Sequence, residues 1–387
     1  MTIMTGRERV LAALDGAPLD KMPFSPLIDT YTLMEMPPEI WPNQFRDRKN
    51  YYNGIIHASQ ALDLDLMVRH APVSVPLKGP GYAQSNGAFT DPVKLSGGFK
   101  DGQVFEEITT PGGSLTTVWK YTDKVGGIPH PVKFFVSNAE EMKIFMSALE
   151  HLDPEPPAGN FEAFFNIEKK IGEHGIATTS VQKSPFMYLV EIAWGLETTY
   201  YLLQDHPEEV KAILDMLYEG QRRQVELIAE SPARVVIQYE DTSSTILSPD
   251  IFRRYCLPYL NANADILREA GKIFLVHMCG TLKALAGDIA GGRFSGISDT
   301  TPHPTGDLPL DEAASLMPDK IITGGIDSTT YVSRDKDEFK QTITGLIQRI
   351  KPLKKVIMGS ADTAPRDAPV ENFRLIRKLV DEFGTYN

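Results

Sequence analysis

Cysteine is scarce in this sequence, and long hydrophobic runs are absent. Among 387 residues only Cys256 and Cys279 are cysteines, which excludes a disulfide-rich scaffold. A single disulfide between these two thiols is the alternative, but metal binding or simple burial is favoured where no secretion signal is present. No apolar run approaches the roughly 18 residues that a membrane-spanning helix requires, so no membrane partner is expected.

The N-terminal segment lacks the features of a secretory signal. Met1–Leu14 has no long apolar core behind a basic start, and we therefore expect a cytoplasmic protein. Thr5 followed by Glu8 instead predicts a capping box, with a helix that runs to about Leu14.

Positive charge is in deficit. The chain has 39 Lys and Arg against 51 Asp and Glu, a net charge of −12. An acidic surface repels phosphate backbones, so nucleic acid is not an expected partner. The charge neither requires nor forbids a homodimer. Hydrophobic residues at 42% and charged residues at 23% are typical of a globular protein.

Apolar segments alternate with helical ones along most of the chain. Parallel strands that are buried on both faces have this appearance, and eight such segments favour a (β/α)8 TIM barrel over an open sheet. We expect one barrel domain over residues 1–387, because such barrels take from about 250 to more than 400 residues. The predicted strands are Pro23–Ile28, Leu64–Arg69, Ile176–Gln182, Arg234–Glu240, Lys272–Met278, Ser295–Asp299, Lys320–Asp327 and Val356–Ser360.

Residues 79–157 interrupt this alternation. Val104–Thr110 and Ser114–Tyr121 flank the turn sequence Pro111-Gly112-Gly113, a pattern typical of a β-hairpin. We expect a β-hairpin insertion, or cap, between the second and third barrel strands.

The strongest chemical signal lies at the end of the fifth predicted strand. His277 and Cys279 are separated by one residue, so they share a face of an extended chain. The C-terminal ends of barrel strands carry the active sites of barrel enzymes. An imidazole and a thiolate on one face suit zinc, although buried His and Cys side chains are also common in cores.

Two further residues extend this set of metal ligands. Asp241 follows the fourth predicted strand, and Glu240 is an alternative to it as a ligand. Cys256 lies on the next helix, which Ser248 and Pro249 are expected to begin. A helix cap would equally explain Asp241, and an interior position would explain Cys256. The zinc set is therefore Asp241, Cys256, His277 and Cys279, either as four ligands or as three with an open position.

Other residues near the predicted strand ends are expected to line a substrate pocket. They follow the first strand or end later ones, and an ordinary packed loop or strand end is the alternative for each. This set is Asp29, Tyr31, Gln182, Tyr239, Glu240, Met278, Asp299 and Asp327.

Several short segments, in the same order, give the chain a family resemblance. It resembles the uroporphyrinogen decarboxylase superfamily, whose fold is a (β/α)8 barrel. The matching segments are Arg7–Leu14 with Pro18–Pro23, Ser248–Phe252 with Leu257–Tyr259, His277–Gly280, Gly324–Asp327 and Ala368–Asn372.

One departure argues against uroporphyrinogen as the substrate. True uroporphyrinogen decarboxylases carry an arginine-rich segment after the first strand, which binds the carboxylates of the substrate. Here no arginine occurs between Arg9 and Arg46. Arg46 or Arg48 as a displaced carboxylate clamp is the alternative.

The resemblance instead implies a zinc-dependent corrinoid methyltransferase. The branch that methylates coenzyme M shares the His-x-Cys pattern but has another Cys near the last strand, where this chain has Ser360. Some methyltransferases of O-demethylase systems show Glu, fourteen residues, Glu, twenty residues, His. Asp241, Cys256 and His277 have that spacing here, with Asp and Cys in place of the two Glu.

The expected reaction moves a methyl group from a small methyl ether, aromatic ethers included, to the cob(I)alamin of a partner corrinoid protein. Zn²⁺ and a corrinoid are the implied cofactors. The alternatives are methyl transfer from a methylated corrinoid protein to a thiol or folate, a decarboxylase, and a binding barrel without catalysis.

Overall fold

Thirteen strands occur in the residues that the computed structural model describes, namely 3–45, 50–74, 88–121, 129–153 and 159–386. In chain order they are β1 (Leu66–Val68), β2 (Ala88–Phe89), β3 (Lys94–Lys100), β4 (Gln103–Thr110), β5 (Gly113–Tyr121), β6 (Pro129–Lys133), β7 (Leu152–Asp153), β8 (Gly175–Val181), β9 (Val235–Tyr239), β10 (Ile273–His277), β11 (Gly296–Thr300), β12 (Ile321–Ile326) and β13 (Val356–Ser360).

Helices follow most of these strands, and none in the described ranges is long and apolar enough to cross a bilayer. Two π-helical turns, Leu189–Ala193 and Phe252–Cys256, interrupt the regular helices. The α-helices are α1 (Gly6–Asp15), α2 (Thr30–Leu33), α3 (Tyr51–Ala61), α4 (Ala139–Leu149), α5 (Glu162–Ile171), α6 (Pro185–Tyr188), α7 (Leu196–Asp205), α8 (Pro207–Glu230), α9 (Pro249–Ile251), α10 (Leu257–Glu269), α11 (Ala286–Gly291), α12 (Leu310–Leu316), α13 (Ser328–Tyr331), α14 (Lys336–Ile350) and α15 (Val370–Phe383).

Seven parallel strands form a curled sheet in the order β1-β8-β9-β10-β11-β12-β13. Each pairs with the next strand of the sheet, with a helix in most of the connections. This arrangement is consistent with a TIM-like barrel, and seven of the eight predicted strands lie in it.

The first predicted strand, Pro23–Ile28, forms only an isolated bridge between Phe24 and Met358. Pro23 and Pro26 have no N–H to donate to a ladder, which limits regular pairing. The segment nevertheless contacts both edges of the sheet. The Ser25 N–H donates to the Met358 carbonyl (2.8 Å), and the Asp65 N–H, just before β1, donates to the Phe24 carbonyl (3.0 Å).

Helix α1 covers the end of the barrel at which the strands begin. Its capping box is confirmed, since Thr5 accepts from the Glu8 N–H and Glu8 accepts from the Thr5 N–H. Val10, Ala13 and Leu14 are buried against the ends of the central strands. Burial of an apolar helix face there closes the floor of the barrel.

Buried ion pairs lie beside this floor. Arg9 Nε is 2.8 Å from Asp20 Oδ1, and its guanidinium also pairs with Asp65. Asp65 accepts from the Phe24 N–H (2.9 Å) and lies 3.3 Å from Arg377 Nη1 on α15. Each buried charge therefore has an opposite charge or a hydrogen bond, as burial of charge requires.

A second sheet lies between β1 and β8 in the sequence, within the range expected to form an insertion. Strands β3, β4, β5 and β6 are antiparallel neighbours, and β4 meets β5 with Thr110 opposite Gly113. Residues 79–87, 122–128 and 154–157 of the expected insertion lie outside the described residues.

Candidate metal centre

Three predicted ligands converge at the C-terminal ends of β9 and β10. Tyr239 and His277 are paired at the end of these strands, so Asp241 and Cys279 lie just beyond at the same level. The Asp241 backbone has a left-handed φ of 50°, and its N–H donates to the His277 carbonyl (3.1 Å). One possible ligand atom from each of Asp241, His277 and Cys279 lies within 4.8 Å of the other two.

The spacing of these donor atoms fits a single zinc ion. Asp241 Oδ1 is 3.2 Å from His277 Nε2 and 3.9 Å from Cys279 Sγ. Tetrahedral zinc with ordinary Zn–N, Zn–O and Zn–S bonds holds such atoms about 3.5 Å apart. The two observed separations lie on either side of that value, so small side-chain rotations would bring all three onto one ion.

Asp299 and Arg69 fix the orientation of His277. Asp299 Oδ2 lies 2.7 Å from His277 Nδ1, and because an ionised carboxylate only accepts, Nδ1 carries the proton. Nε2 is then the atom that faces Asp241. Arg69 pairs with both oxygens of Asp299, one of them at 2.7 Å. A carboxylate behind a metal-binding histidine commonly fixes its tautomer in this way.

Without a metal ion, the surroundings of His277 favour its protonated, positively charged form. Burial alone would lower the pKa of His277, but hydrogen bonds to Asp241 and Asp299 raise that pKa well above its usual value. The imidazole is therefore protonated on both nitrogens, with Nδ1 facing Asp299 and Nε2 facing Asp241. A divalent cation would replace the proton on Nε2 and would pair with the same Asp241 carboxylate.

Lys183 forms an ion pair with the second carboxylate oxygen of Asp241. Its ammonium group pairs with Asp241 Oδ2 and lies 2.8 Å from Glu191 Oε2. Burial raises the pKa of Glu191 to about 7, although Lys183 opposes that shift. Because Lys183 holds Oδ2, Oδ1 is the oxygen available to a metal ion.

Cys256 is not part of this cluster, although the sequence places it in the ligand set. Its fully buried thiol lies beside Glu240 and Ser184, and burial raises the pKa of the thiol well above its usual value. Glu240 accepts from the Ser184 N–H (2.7 Å) and hydroxyl. Burial raises the pKa of Glu240 to about 7. Cys256 therefore lies with Glu240 and Ser184, and the three-residue cluster does not include it.

Ser360 at the end of β13 also lies outside the cluster. Its hydroxyl oxygen accepts from the Leu27 N–H (2.8 Å). It therefore holds the first barrel segment in place.

A cavity of about 210 Å³ opens beside the cluster and includes Asp241 and His277 in its wall. Of the predicted pocket residues, Asp29 and Tyr239 line it. Apolar side chains of β1 and of residues 26–28 form much of the remaining wall. Its charged and aromatic lining residues are Asp29, Tyr51, Arg69, His70, Tyr239, Asp241, His277 and Asp362.

The remaining predicted pocket residues lie elsewhere. Tyr31 is half-buried on α2, Gln182 is exposed, and Met278 is fully buried in the core. The Asp327 carboxylate accepts from the Thr329 and Thr305 N–H groups (2.8 and 3.2 Å), so it joins a helix start to a loop. Asp299 stands behind His277, outside the cavity wall.

Arg69, His70, Lys183 and Asp362 were not predicted from the sequence. Arg69 ends the second predicted strand, and Asp362 follows the last one by two residues. A charged residue at such a position is the signal that could have identified both.

Comparison with protein families shows where the chain belongs. Residues 105–383 match the model described as uroporphyrinogen decarboxylase (URO-D). This range covers more than half of the chain, and the protein belongs to this family. No curated protein matches the sequence.

The fold is also that of a solved methyltransferase structure. A methyltransferase from Methanosarcina mazei is 18% identical, with a TM-score of 0.60, over 98% of this chain and 99% of its own. The spore cortex-lytic enzyme of Bacillus megaterium is 10% identical, with a TM-score of 0.34, over 61% and 69% of the two chains. The first similarity shows a common fold, and the second is too weak to support any conclusion.

Proposed function

We propose that this protein is a zinc-dependent methyltransferase. It would transfer a methyl group from a small methyl ether to the cob(I)alamin of a separate corrinoid protein. The convergence of Asp241, His277 and Cys279 beside a cavity, with Asp299 behind His277, carries this proposal. The full-length structural similarity to a methyltransferase supports it.

The three side chains would hold zinc and leave a fourth position for the substrate. Cys279 and Asp241 together supply two negative charges, and His277 is a neutral ligand once its Nε2 proton has left. Asp299 and Arg69 keep the imidazole oriented. When bound, zinc would act as a Lewis acid towards the ether oxygen, where negative charge develops.

The reaction balances without a further reagent. The C–O bond of the ether would break with its electron pair left on oxygen, and the partner's cob(I)alamin would supply the electron pair that binds the methyl carbon. The alkoxide or phenoxide then gains a proton from water. The cavity wall would hold the methyl donor in position for the cobalt, and such positioning would reduce the entropic part of the barrier.

The cavity does not suit a porphyrinogen with several carboxylates. Arg69 is the one arginine among its described lining residues, and its guanidinium is already paired with Asp299. Asp29 and Asp362 in the same wall would repel carboxylates. Arg46 and Arg48, the alternative clamp, lie outside the described residues.

The test is a cobalt spectrum. Zinc-loaded protein is mixed with a cob(I)alamin corrinoid protein and a panel of methoxy compounds. We expect at least one donor to methylate the cobalt, a chelator to stop the reaction, and added zinc to restore it. Cys279→Ala should abolish transfer, whereas Cys256→Ala should retain it. Transfer that continues without metal, or no transfer from any donor, would contradict the proposal.

A further inference from the structure

Two carboxylates in the cavity, Asp29 and Asp362, form no close ion pair among the described residues, although His277 lies within electrostatic range of Asp362. Asp29 Oδ1 accepts from the Thr32 N–H (3.0 Å), and Asp362 Oδ1 accepts from the Thr363 N–H (2.7 Å). Neither carboxylate is part of an ion pair in the described structure, although both line the cavity. The Asp362 side chain is exposed at the wall of the cavity. A carboxylate in such a position attracts hydrogen-bond donors and positive charge.

The cations near the cavity are already engaged. Arg69 pairs with Asp299 through two oxygens, and Lys183 pairs with Asp241 and Glu191. Loss of solvent, with Arg69 close by, lowers the pKa of His70 to about 4, so His70 adds no positive charge at neutral pH. Zinc with its Asp and Cys ligands would be neutral overall. The cavity therefore keeps an excess of negative charge.

Aromatic surfaces line the same cavity. The rings of His70 and Tyr239 are stacked, with centroids 4.4 Å apart and planes at 26°, and Tyr51 also contributes to the wall. The Tyr239 hydroxyl is buried and faces the Arg69 guanidinium, so the ring of Tyr239 is the part that can contact a cationic ligand. Aromatic rings bind ammonium ions.

We propose that this cavity binds a methyl donor that carries an ammonium group, such as an aminoalkyl aryl methyl ether. The ammonium would lie against Asp29 and Asp362, beside the aromatic rings of the cavity wall, with the methoxy group directed to the metal cluster. This inference rests on the proposed function, since it takes the cavity as the site of the methyl donor. It predicts discrimination by charge among donors of equal size.

Three probes of nearly equal shape test the charge preference. They are 3-methoxybenzylamine, 3-methoxybenzyl alcohol and 3-methoxybenzoate, titrated calorimetrically into zinc-loaded protein without any corrinoid. We expect the amine to bind about tenfold or more tightly than the alcohol, and the benzoate to bind most weakly. Equal binding of amine and alcohol, or tighter binding of the benzoate, would overturn the inference.

Two isosteric variants locate the preference. Asp362→Asn and Asp29→Asn should each reduce binding of the amine about tenfold and change binding of the alcohol by less than about threefold. Asn still caps a helix, so Asp29→Asn should leave α2 intact. Asp367→Asn removes an exposed carboxylate outside the cavity and should change none of the affinities. An amine preference that survives both cavity variants would overturn the proposal.

The binding experiment and the cobalt spectrum test the two proposals independently. Tight amine binding without cobalt methylation by any donor would contradict the methyltransferase function and support the cation site. Cobalt methylation by neutral or anionic ethers, with no higher affinity for the amine, would support the function and contradict the cation site.

Discussion

The two ends of the barrel bury charge in different ways. At the floor, Arg9, Asp20, Asp65 and Arg377 neutralise one another. At the mouth, Arg69 and Asp299 form a comparable pair, but Asp299 also holds His277. The floor is a closed network, whereas at the mouth the possible ligand atoms of Asp241, His277 and Cys279 lie close together. This difference follows the general division of TIM barrels into a stabilising floor and a functional mouth.

Backbone geometry supports this distinction at the mouth. Asp299 has a φ of 69°, which few residues other than glycine adopt. Gly324 lies against it, and a Cβ at Gly324 would come within 2.8 Å of the Asp299 Cα. The strained Asp299 backbone is thus accommodated by a glycine on the next strand, which places the carboxylate behind His277.

The largest expected effect comes from His277 at the mouth. His277→Ala removes one of three proposed ligands, so zinc affinity should fall by at least about 100-fold and methyl transfer should be lost. Metal analysis after dialysis against a zinc buffer measures this. If His277→Ala binds zinc as tightly as the unmodified protein, the mouth is not the metal site and its contrast with the floor is wrong.

The floor should respond to mutation through stability. Arg9→Met leaves Asp65 and Asp20 without a main partner and should cost about 3–5 kcal/mol of unfolding free energy. Zinc content should stay unchanged. Arg7→Met on the same helix is the control, because Arg7 is partly exposed in its pair with Glu168 and should cost about 1 kcal/mol or less. Urea unfolding distinguishes them, and equal losses would show that the floor network is not specifically stabilising.

Asp299 should affect metal binding without being a ligand. Asp299→Asn removes the charge that fixes the His277 tautomer, and zinc affinity should fall about 10–100-fold. Asp327→Asn changes a buried carboxylate at the end of the next strand, and it should leave zinc affinity unchanged. The two variants are compared by competition with a zinc chelator. Similar effects of both would indicate a general loss of structure at the mouth.

The smallest effect is a pH dependence at the floor. Hydrogen bonds from Arg9, against the effect of burial, lower the pKa of Asp20 to about 2. The folded pKa is below the unfolded one, so this stabilisation is present above about pH 4 and is lost as the pH falls towards 2. Urea unfolding should show Asp20→Asn less stable by on the order of 1 kcal/mol at pH 6, after allowance for solvent screening. That difference should shrink near pH 3. A constant difference would contradict the assignment.

Local patterns predicted seven of the eight barrel strands and the three residues of the candidate metal cluster, because strand ends, caps and the i, i+2 relation are encoded within a few residues. Cys256 could not be placed in this way. Its place in the ligand set rested on its spacing from Asp241 and His277, and in the structure it ends a π-helical turn beside Glu240 and Ser184. The pairing of Arg69 with Asp299 spans 230 residues, and no local pattern carries such a contact.

The most direct test of the central claim is X-ray absorption at the zinc edge of the zinc-loaded protein. Ligation by Asp241, His277 and Cys279 predicts one sulfur ligand at about 2.3 Å, with the remaining ligands nitrogen or oxygen at about 2.0–2.2 Å. Cys279→Ser should remove the sulfur signal, and Cys256→Ala should leave it unchanged. Two sulfur ligands, or a sulfur signal that depends on Cys256, would contradict this account of the site.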